Sequence, residues 1–152
     1  MSLTPLDKAA TRRSFERAAK GYDRFAVLQR EIESRLLERV EFNRVEPAMI
    51  LDLGCGTGSG SRALAGRFGQ ASVLALDWAP AMLAMTGEGA GVDNPAGLHR
   101  LCADMHALPL ANRCADMVFS NLALQWSYDL PAVFREFRRI MKPDAMLVFT
   151  CY

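Results

Sequence analysis

Residues 49–60 read Met49-Ile50-Leu51-Asp52-Leu53-Gly54-Cys55-Gly56-Thr57-Gly58-Ser59-Gly60. An apolar run ends in a carboxylate at Asp52, and a glycine at every second position follows it. This is the strand–turn–helix junction of a nucleotide-binding α/β fold, in which glycines let the backbone turn tightly and approach a ligand closely. The built-in acid constrains that ligand. Phosphates brought to the loop would meet a carboxylate, a gross repulsion of about 4 kcal/mol at contact distance in a surface-like dielectric. A ligand carrying an ammonium and a sulfonium would be attracted by a similar amount. The glycine spacing agrees. The dinucleotide fingerprint Gly-x-Gly-x-x-Gly would put its third glycine at 59 or 61, and both positions are serine, Ser59 and Ser61.

The next strand-like run, Ser72-Val73-Leu74-Ala75-Leu76, ends at Asp77 with Trp78 directly after it. An acid about 20 residues past the loop lies where a ribose binds in a βαβ unit, and it can accept from both ribose hydroxyls. Trp78 is placed to pack on an adenine face. A third run, Gly97 to Ala103, ends at Asp104 and Met105, where an acid can accept from the adenine amino group. One acid at a strand end is unremarkable, because Asp is common in turns. Three in succession along the carboxyl edge of an open sheet define a ligand edge. S-adenosylmethionine has the cations, the ribose and the adenine that these acids require. Its expected contacts are Asp52, Gly54, Cys55, Gly56, Gly58, Asp77, Trp78, Asp104, Met105 and Asn121. Cys55 reads as a small residue tolerated in the turn rather than a nucleophile, and His106 as a loop residue rather than a base.

The rest of the chain supplies a frame for that edge. Residues 7–20 and 25–40 read as two helices, broken at Gly21-Tyr22-Asp23, with Phe25, Leu28, Ile32, Leu36 and Val40 at helical spacing. From Ala48 onward, strands near 49–53, 72–77, 98–103, 115–121 and 146–151 alternate with helices. The last helix runs from about Leu130 to Met141 and is ended by Lys142-Pro143. Residues 86–97 read as a loop. The alternation implies an α/β fold with a doubly wound, Rossmann-like parallel sheet, divided into an N-terminal helical cover over 1–47 and a cofactor-binding core over 48–152. At 152 residues and a net charge of +1 the chain is one compact unit without the footprint of a general nucleic-acid binder. It has no membrane-length apolar run and no signal-peptide pattern. Four scattered cysteines and two histidines make no metal-ligand spacing, which reads as free thiols in a cytoplasmic protein with no metal.

The chain resembles the class I S-adenosylmethionine-dependent methyltransferases. The resemblance rests on Leu51 to Gly58, Leu76 to Leu83, Ala103 to Leu110, Asp116 to Trp126 and Glu136 to Pro143, in the family's order. With Arg13-Ser14-Phe15-Glu16-Arg17-Ala18-Ala19, Tyr22-Asp23, Ala26 to Arg30 and Leu124-Gln125-Trp126, it is most similar to the malonyl-acyl-carrier-protein O-methyltransferases of biotin synthesis. Trans-aconitate methyltransferases share the Gln-Trp block. The resemblance implies strand order 3-2-1-4-5 and methyl transfer to the free carboxyl of a malonyl thioester. It also implies two further strands that this sequence, ending at Tyr152, lacks, and two glycines where Asp144-Ala145 stand.

A malonyl carboxylate has a pKa of about 4, so only about one molecule in a thousand is protonated at neutral pH and no general base is required. The candidates beside the methyl group are Tyr22, Gln29, Asn121, Gln125 and Trp126. Tyr22 reads equally as a helix-corner residue, Gln29 as solvent-facing and Trp126 as a core anchor. Arg12, Arg13, Arg17, Lys20 and Arg24 form a basic stretch that either docks an acidic acyl carrier protein or is a solvated helix face. Strand 5, apolar on both faces, predicts a homodimer through the strand 4–5 side. Two functional alternatives stay open: a cofactor-binding module with little turnover, and a methyltransferase for another small carboxylate.

Overall fold

The computed structural model describes residues 7–43, 45–87 and 97–152. Of the loop expected over 86–97, residues 88–96 lie outside the described residues. Five strands, β1 (Met49–Leu53), β2 (Ser72–Asp77), β3 (Leu98–Cys102), β4 (Ala115–Asn121) and β5 (Met141–Thr150), form one parallel sheet in the order 3-2-1-4-5. Among the described residues six α-helices accompany it: α1 (Lys8–Ala18), α2 (Tyr22–Phe25), α3 (Val27–Glu41), α4 (Ser59–Arg67), α5 (Pro80–Met85) and α6 (Leu130–Ile140).

The two-residue alternation of β1 sorts the core. Ile50 packs with Leu36 and Val40 of α3 and Leu64 and Ala65 of α4 on one face of the sheet. Leu51 and Leu53 pack with Val133, Phe137 and Ile140 of α6 on the other. Asp52 shares the face of Ile50, so it is aimed at α4. Each fully buried large side chain, such as Phe119 or Phe137, contributes about 1.5–3 kcal/mol. Asp7 and Asp129 cap α1 and α6 by accepting from the Ala10 and Ala132 amides at 3.0 Å. Each cap is worth about 1 kcal/mol.

The structure departs from the sequence reading in three places. Residues 22 and 23 are helical, in α2, and the break falls on the 3₁₀ turn Ala19–Gly21. The apolar stripe of the second helix is only half used. Leu36 and Val40 are buried, but Phe25 and Leu28 are 85% and 54% exposed because no described element lies opposite them. Helix α5, opened by Pro80, is the helix that the alternation places between β2 and β3. Finally, α6 stops at Ile140 and β5 begins at Met141, so Lys142-Pro143 lie within the strand. The pairing jumps from Ala115↔Met141 to Met117↔Met146, an irregularity that absorbs Pro143, whose missing N–H an edge strand tolerates. Asp144 takes φ +66° there, which Asp accepts more readily than most side chains. That is how the turn forms without the expected glycines.

Candidate cofactor site

The connections from β1 and β4 leave the centre of the sheet in opposite directions. Their carboxyl ends therefore open a crevice between Asp52-Leu53-Gly54 and Asn121-Leu122-Ala123. Gly54 has φ +72°, and a Cβ on it would lie 2.2 Å from the Ala123 Cβ, so the two loops touch only because 54 is glycine. Gly56 has φ +55° and nothing within 4 Å of where its Cβ would be: it faces open space on the crevice side. Gly58, φ +83°, caps α4 and packs on Thr86.

Two adjoining cavities fill the crevice, sharing Tyr22, Gly54, Gly56 and Asn121. The larger, about 670 Å³, is walled by Trp78, Met82, Met105, Trp126 and Phe15, with Asp77 at its floor. The smaller, about 470 Å³, is lined by Asp23, Glu33 and Asp52, with Arg30 as the one cation among its lining residues.

The carboxylates are held, not loose. Asp77 accepts from the Gly56 amide at 3.0 Å and the Ala79 amide at 2.9 Å, which ties the glycine loop to the end of β2. Burial raises its pKa against those hydrogen bonds. Asp52 accepts from the Ser61 hydroxyl at 2.5 Å. Burial pushes its carboxyl up to about 7, the Ser61 hydrogen bond opposing and the charges of Glu33 and Asp77 adding. Glu33 of α3 accepts from the Ser59 hydroxyl, and burial raises its pKa too. The two acids converge on Gly60, where a Cβ would lie 3.0 Å from Glu33 Oε2 and 3.4 Å from Asp52 Oδ2. Asp23 accepts from Thr57 at 2.7 Å, so α2 and α3 are both fastened to the loop and the start of α4 by hydroxyl–carboxylate pairs.

The expected residues fall into two groups. Asp52, Gly54, Cys55, Gly56, Asp77, Trp78, Asp104, Met105, Asn121, Tyr22, Gln29 and Trp126 line one cavity or both. Trp126 is a wall rather than a core anchor: it is 40% exposed and meets Phe15 edge to face at 5.3 Å. Gly58 and Gln125 line neither cavity; the Gln125 amide turns back to donate to the Leu122 carbonyl at 2.7 Å. Asp104 and Asn121, among the lining residues, are engaged by partners on other elements. Asp104 accepts from Lys8 of α1 and from His106, so it latches α1 over the crevice rather than presenting a free carboxylate to an adenine. Partial burial alone would raise its pKa, but the Lys8 and His106 hydrogen bonds outweigh that and hold it at about 2. Asn121 donates to the Gln29 carbonyl at 3.0 Å and accepts from Thr150 at 2.7 Å. His106 is held at both nitrogens, by Asp104 at 2.6 Å and Ser127 at 2.9 Å, and is stacked on Tyr128. Burial drives the Cys55 thiol well above its usual pKa, so it is no thiolate nucleophile.

Sequence reasoning missed Lys8, Phe15, Asp23, Glu33 and Met82. The hydroxyls Thr57, Ser59 and Ser61 at the start of α4 were the available signal, because hydroxyls at a helix start seek acceptors. Two of the three found carboxylates on α2 and α3. Among the described residues no group of three or more His, Cys, Asp or Glu is placed to hold a metal ion.

Residues 51–149 match the family model described as a methyltransferase domain. The chain belongs to this methyltransferase family. It is 45% identical over 149 residues to a malonyl-acyl-carrier-protein O-methyltransferase of Methylovorus sp. (strain MP688), covering 95% of this chain and 50% of that one. With the protein of the same description from Gallionella capsiferriformans (strain ES-2) the identity is 47%, covering 95% and 51%. The solved DhpI–SAH complex superposes with a TM-score of 0.76 at 22% identity, over 97% of this chain and 70% of that one, a likeness of fold. The class I methyltransferase resemblance and the expected 3-2-1-4-5 sheet are thus borne out. The cofactor of that class is S-adenosylmethionine. The chain spans about half the length of the curated relatives it matches.

Proposed function

We propose that the chain binds S-adenosylmethionine across the two cavities and that its methyl group passes to the free carboxylate of a malonyl thioester carried on acyl carrier protein. This is the acceptor in the relatives' description, and the resemblance places it in biotin synthesis. The observation that carries the reading is the division of charge between the cavities. The larger is aromatic and apolar with one buried acid, which suits an adenosine. The smaller sets Asp23, Glu33 and Asp52 against Arg30, which suits a zwitterion beside a sulfonium and repels phosphates. Gly56 leaves room for close approach between them.

S-adenosylmethionine, when bound, supplies a methyl group on a positively charged sulfur. The chain's own residues then bind, align and keep water out. Asp77 keeps lone pairs for the ribose hydroxyls. Asp52 and Glu33 face the ammonium, and Trp78 and Met105 flank the adenine. Tyr22, Gln29 and the Phe15–Trp126 pair close the approach from the N-terminal side, so that α1, α2 and α3 act as a cover over the core. The acceptor arrives already ionised, and no side chain takes a proton from it. Free Cys55, Cys102, Cys114 and Cys151 fit a reducing, cytoplasmic compartment; no described helix is long and apolar enough to cross a membrane.

Calorimetric titration with S-adenosylmethionine and NAD, followed by a methyl-transfer assay on malonyl-, acetyl- and unloaded carrier protein, tests the reading. S-adenosylmethionine should bind, NAD should not, and only the malonyl form should be methylated. NAD binding would overturn the donor. Binding of S-adenosylmethionine with no transfer to any acceptor would leave a cofactor-binding module, and transfer to trans-aconitate in preference to the malonyl carrier would replace the acceptor.

A further inference from the structure

We propose that the corner between α2 and α3, centred on Phe25, is the plate on which the acidic carrier protein docks, an inference that rests on the carrier-borne acceptor proposed above. Phe25, Val27 and Leu28 are 85%, 65% and 54% exposed, three large apolar side chains within four residues. A cationic rim borders them. Arg17, Lys20 and Arg24 are all exposed, and none makes an ion pair among the described residues. Arg12, in contrast, is taken up by Glu16 of its own helix at 3.0 Å. The basic stretch is therefore not uniform: its C-terminal half is available beside the apolar patch and Arg12 is not. An apolar centre within a polar, charged rim is the anatomy of a specific protein interface.

A groove of about 660 Å³ leads inward from the plate. It is lined by Arg17, Ala18, Gly21, Tyr22, Phe25, Ala26 and Gln29. Tyr22 and Gln29 also line the smaller donor cavity. A flexible arm laid along this groove from a partner seated on Phe25 would thus end against the residues that flank the donor cavity. Charge selects the occupant. Two copies of this corner would bring like charges together, whereas an acidic surface would neutralise them. The whole chain carries only +1, so the corner is a local feature and not part of a general polyanion-binding face.

The test uses the 152-residue chain with S-adenosylhomocysteine present and the apo form of an acyl carrier protein, which has no arm and therefore reports the plate alone. The apo carrier should bind, and raising salt should weaken it. Phe25→Ser and the double variant Lys20→Glu/Arg24→Glu should each weaken carrier binding tenfold or more and leave S-adenosylhomocysteine affinity within twofold. Phe42→Ser, an equally exposed apolar residue at the far end of α3, should change neither. Carrier binding that is absent, insensitive to salt or equal in all variants would overturn the plate, as would a Phe25→Ser effect seen only in sedimentation of the chain alone. Failure of S-adenosylhomocysteine to bind while the carrier still binds would count against the proposed function and leave the plate standing.

Discussion

Asp52 is a buried carboxyl whose proton affinity differs between the folded and unfolded states. Its carboxyl sits near 3.8 when unfolded and about 7 when folded. Between those values the folded state holds a proton that the unfolded state has released. Stability therefore falls as pH rises from about 4 to about 7 and is level above that, by roughly 4 kcal/mol at most. Asp52→Asn should remove much of this slope, so urea unfolding at about pH 8 should show the variant more stable than the wild type, with the two converging toward pH 4. Glu33 and Asp77, raised in the same direction, keep part of the slope in both proteins. A wild-type stability that is flat between pH 4 and 7 would contradict the burial argument. The same proton links to the ligand: a cation seated on Asp52 favours the carboxylate, so S-adenosylmethionine binding should release protons, measurable by calorimetry in buffers of different ionisation enthalpy. Asp77 makes a separate prediction. Replacing it by alanine removes the ribose acceptor and frees the Gly56 amide, and should weaken S-adenosylmethionine by about 1.5–3 kcal/mol, the scale of hydrogen bonds to a charged group. An unchanged affinity in calorimetry would take Asp77 out of the ribose site.

At the scale of elements, the bend within β5 is where this chain departs from the two glycines that its resemblance implies. Asp144 sits at φ +66°, in a region that costs most side chains about 1–2 kcal/mol and glycine nothing. Asp144→Gly should therefore gain up to about 1 kcal/mol after the extra chain entropy of glycine is subtracted. Asp144→Val should lose about 1–2 kcal/mol. Chemical denaturation of the two variants checks the pair, and a Val variant as stable as the wild type would mean that the turn is not set by residue 144. The elements that the sequence made legible are those whose signals are local. The strand before the glycine loop, the strand ends at Asp77 and Asp104, and α6 with its i, i+4, i+7 stripe of Val133, Phe137 and Ile140 all carry their own pattern. Elements that depend on distant partners were harder to read. Whether Phe25 and Leu28 are core or surface depends on what lies opposite, and a periodicity cannot report that. Asp104 looked like a ligand acid because its partner, Lys8, is 96 residues away. Glu33 was invisible for the same reason: a lone glutamate on a charged helix becomes a site residue only when α3 is laid against the start of α4.

At the scale of the molecule, the β5 edge of the sheet suggests how copies of this chain would meet. On the β5 side the first residues of the strand are protected. Pro143 offers no N–H, and the turn at Asp144 bends the backbone out of register. Beyond Ala145 the strand runs straight to Thr150 with β4 as its one described neighbour. Phe149 is 39% exposed there and meets the equally exposed Phe134 of α6 edge to face at 6.0 Å. Outward backbone groups of an edge strand beside exposed aromatic surface can recruit another strand, and the same patch on a second copy would complete a two-fold contact. The 152-residue chain should therefore sediment as a concentration-dependent dimer. Val148→Lys places a charge in that edge and should shift it to monomer; Phe149→Ser, which removes apolar contact while leaving the strand's inner face intact, should do so with less effect on folding. The docking corner at Phe25 gives the experiment its control, because charge reversal at Lys20 and Arg24 should leave the dimer constant unchanged. A stable monomer at high concentration, with the outward amides of β5 exchanging freely with solvent, would sink the idea. It would mean that the bend at Asp144 and the half-buried packing of Met146–Val148 guard the edge without a partner.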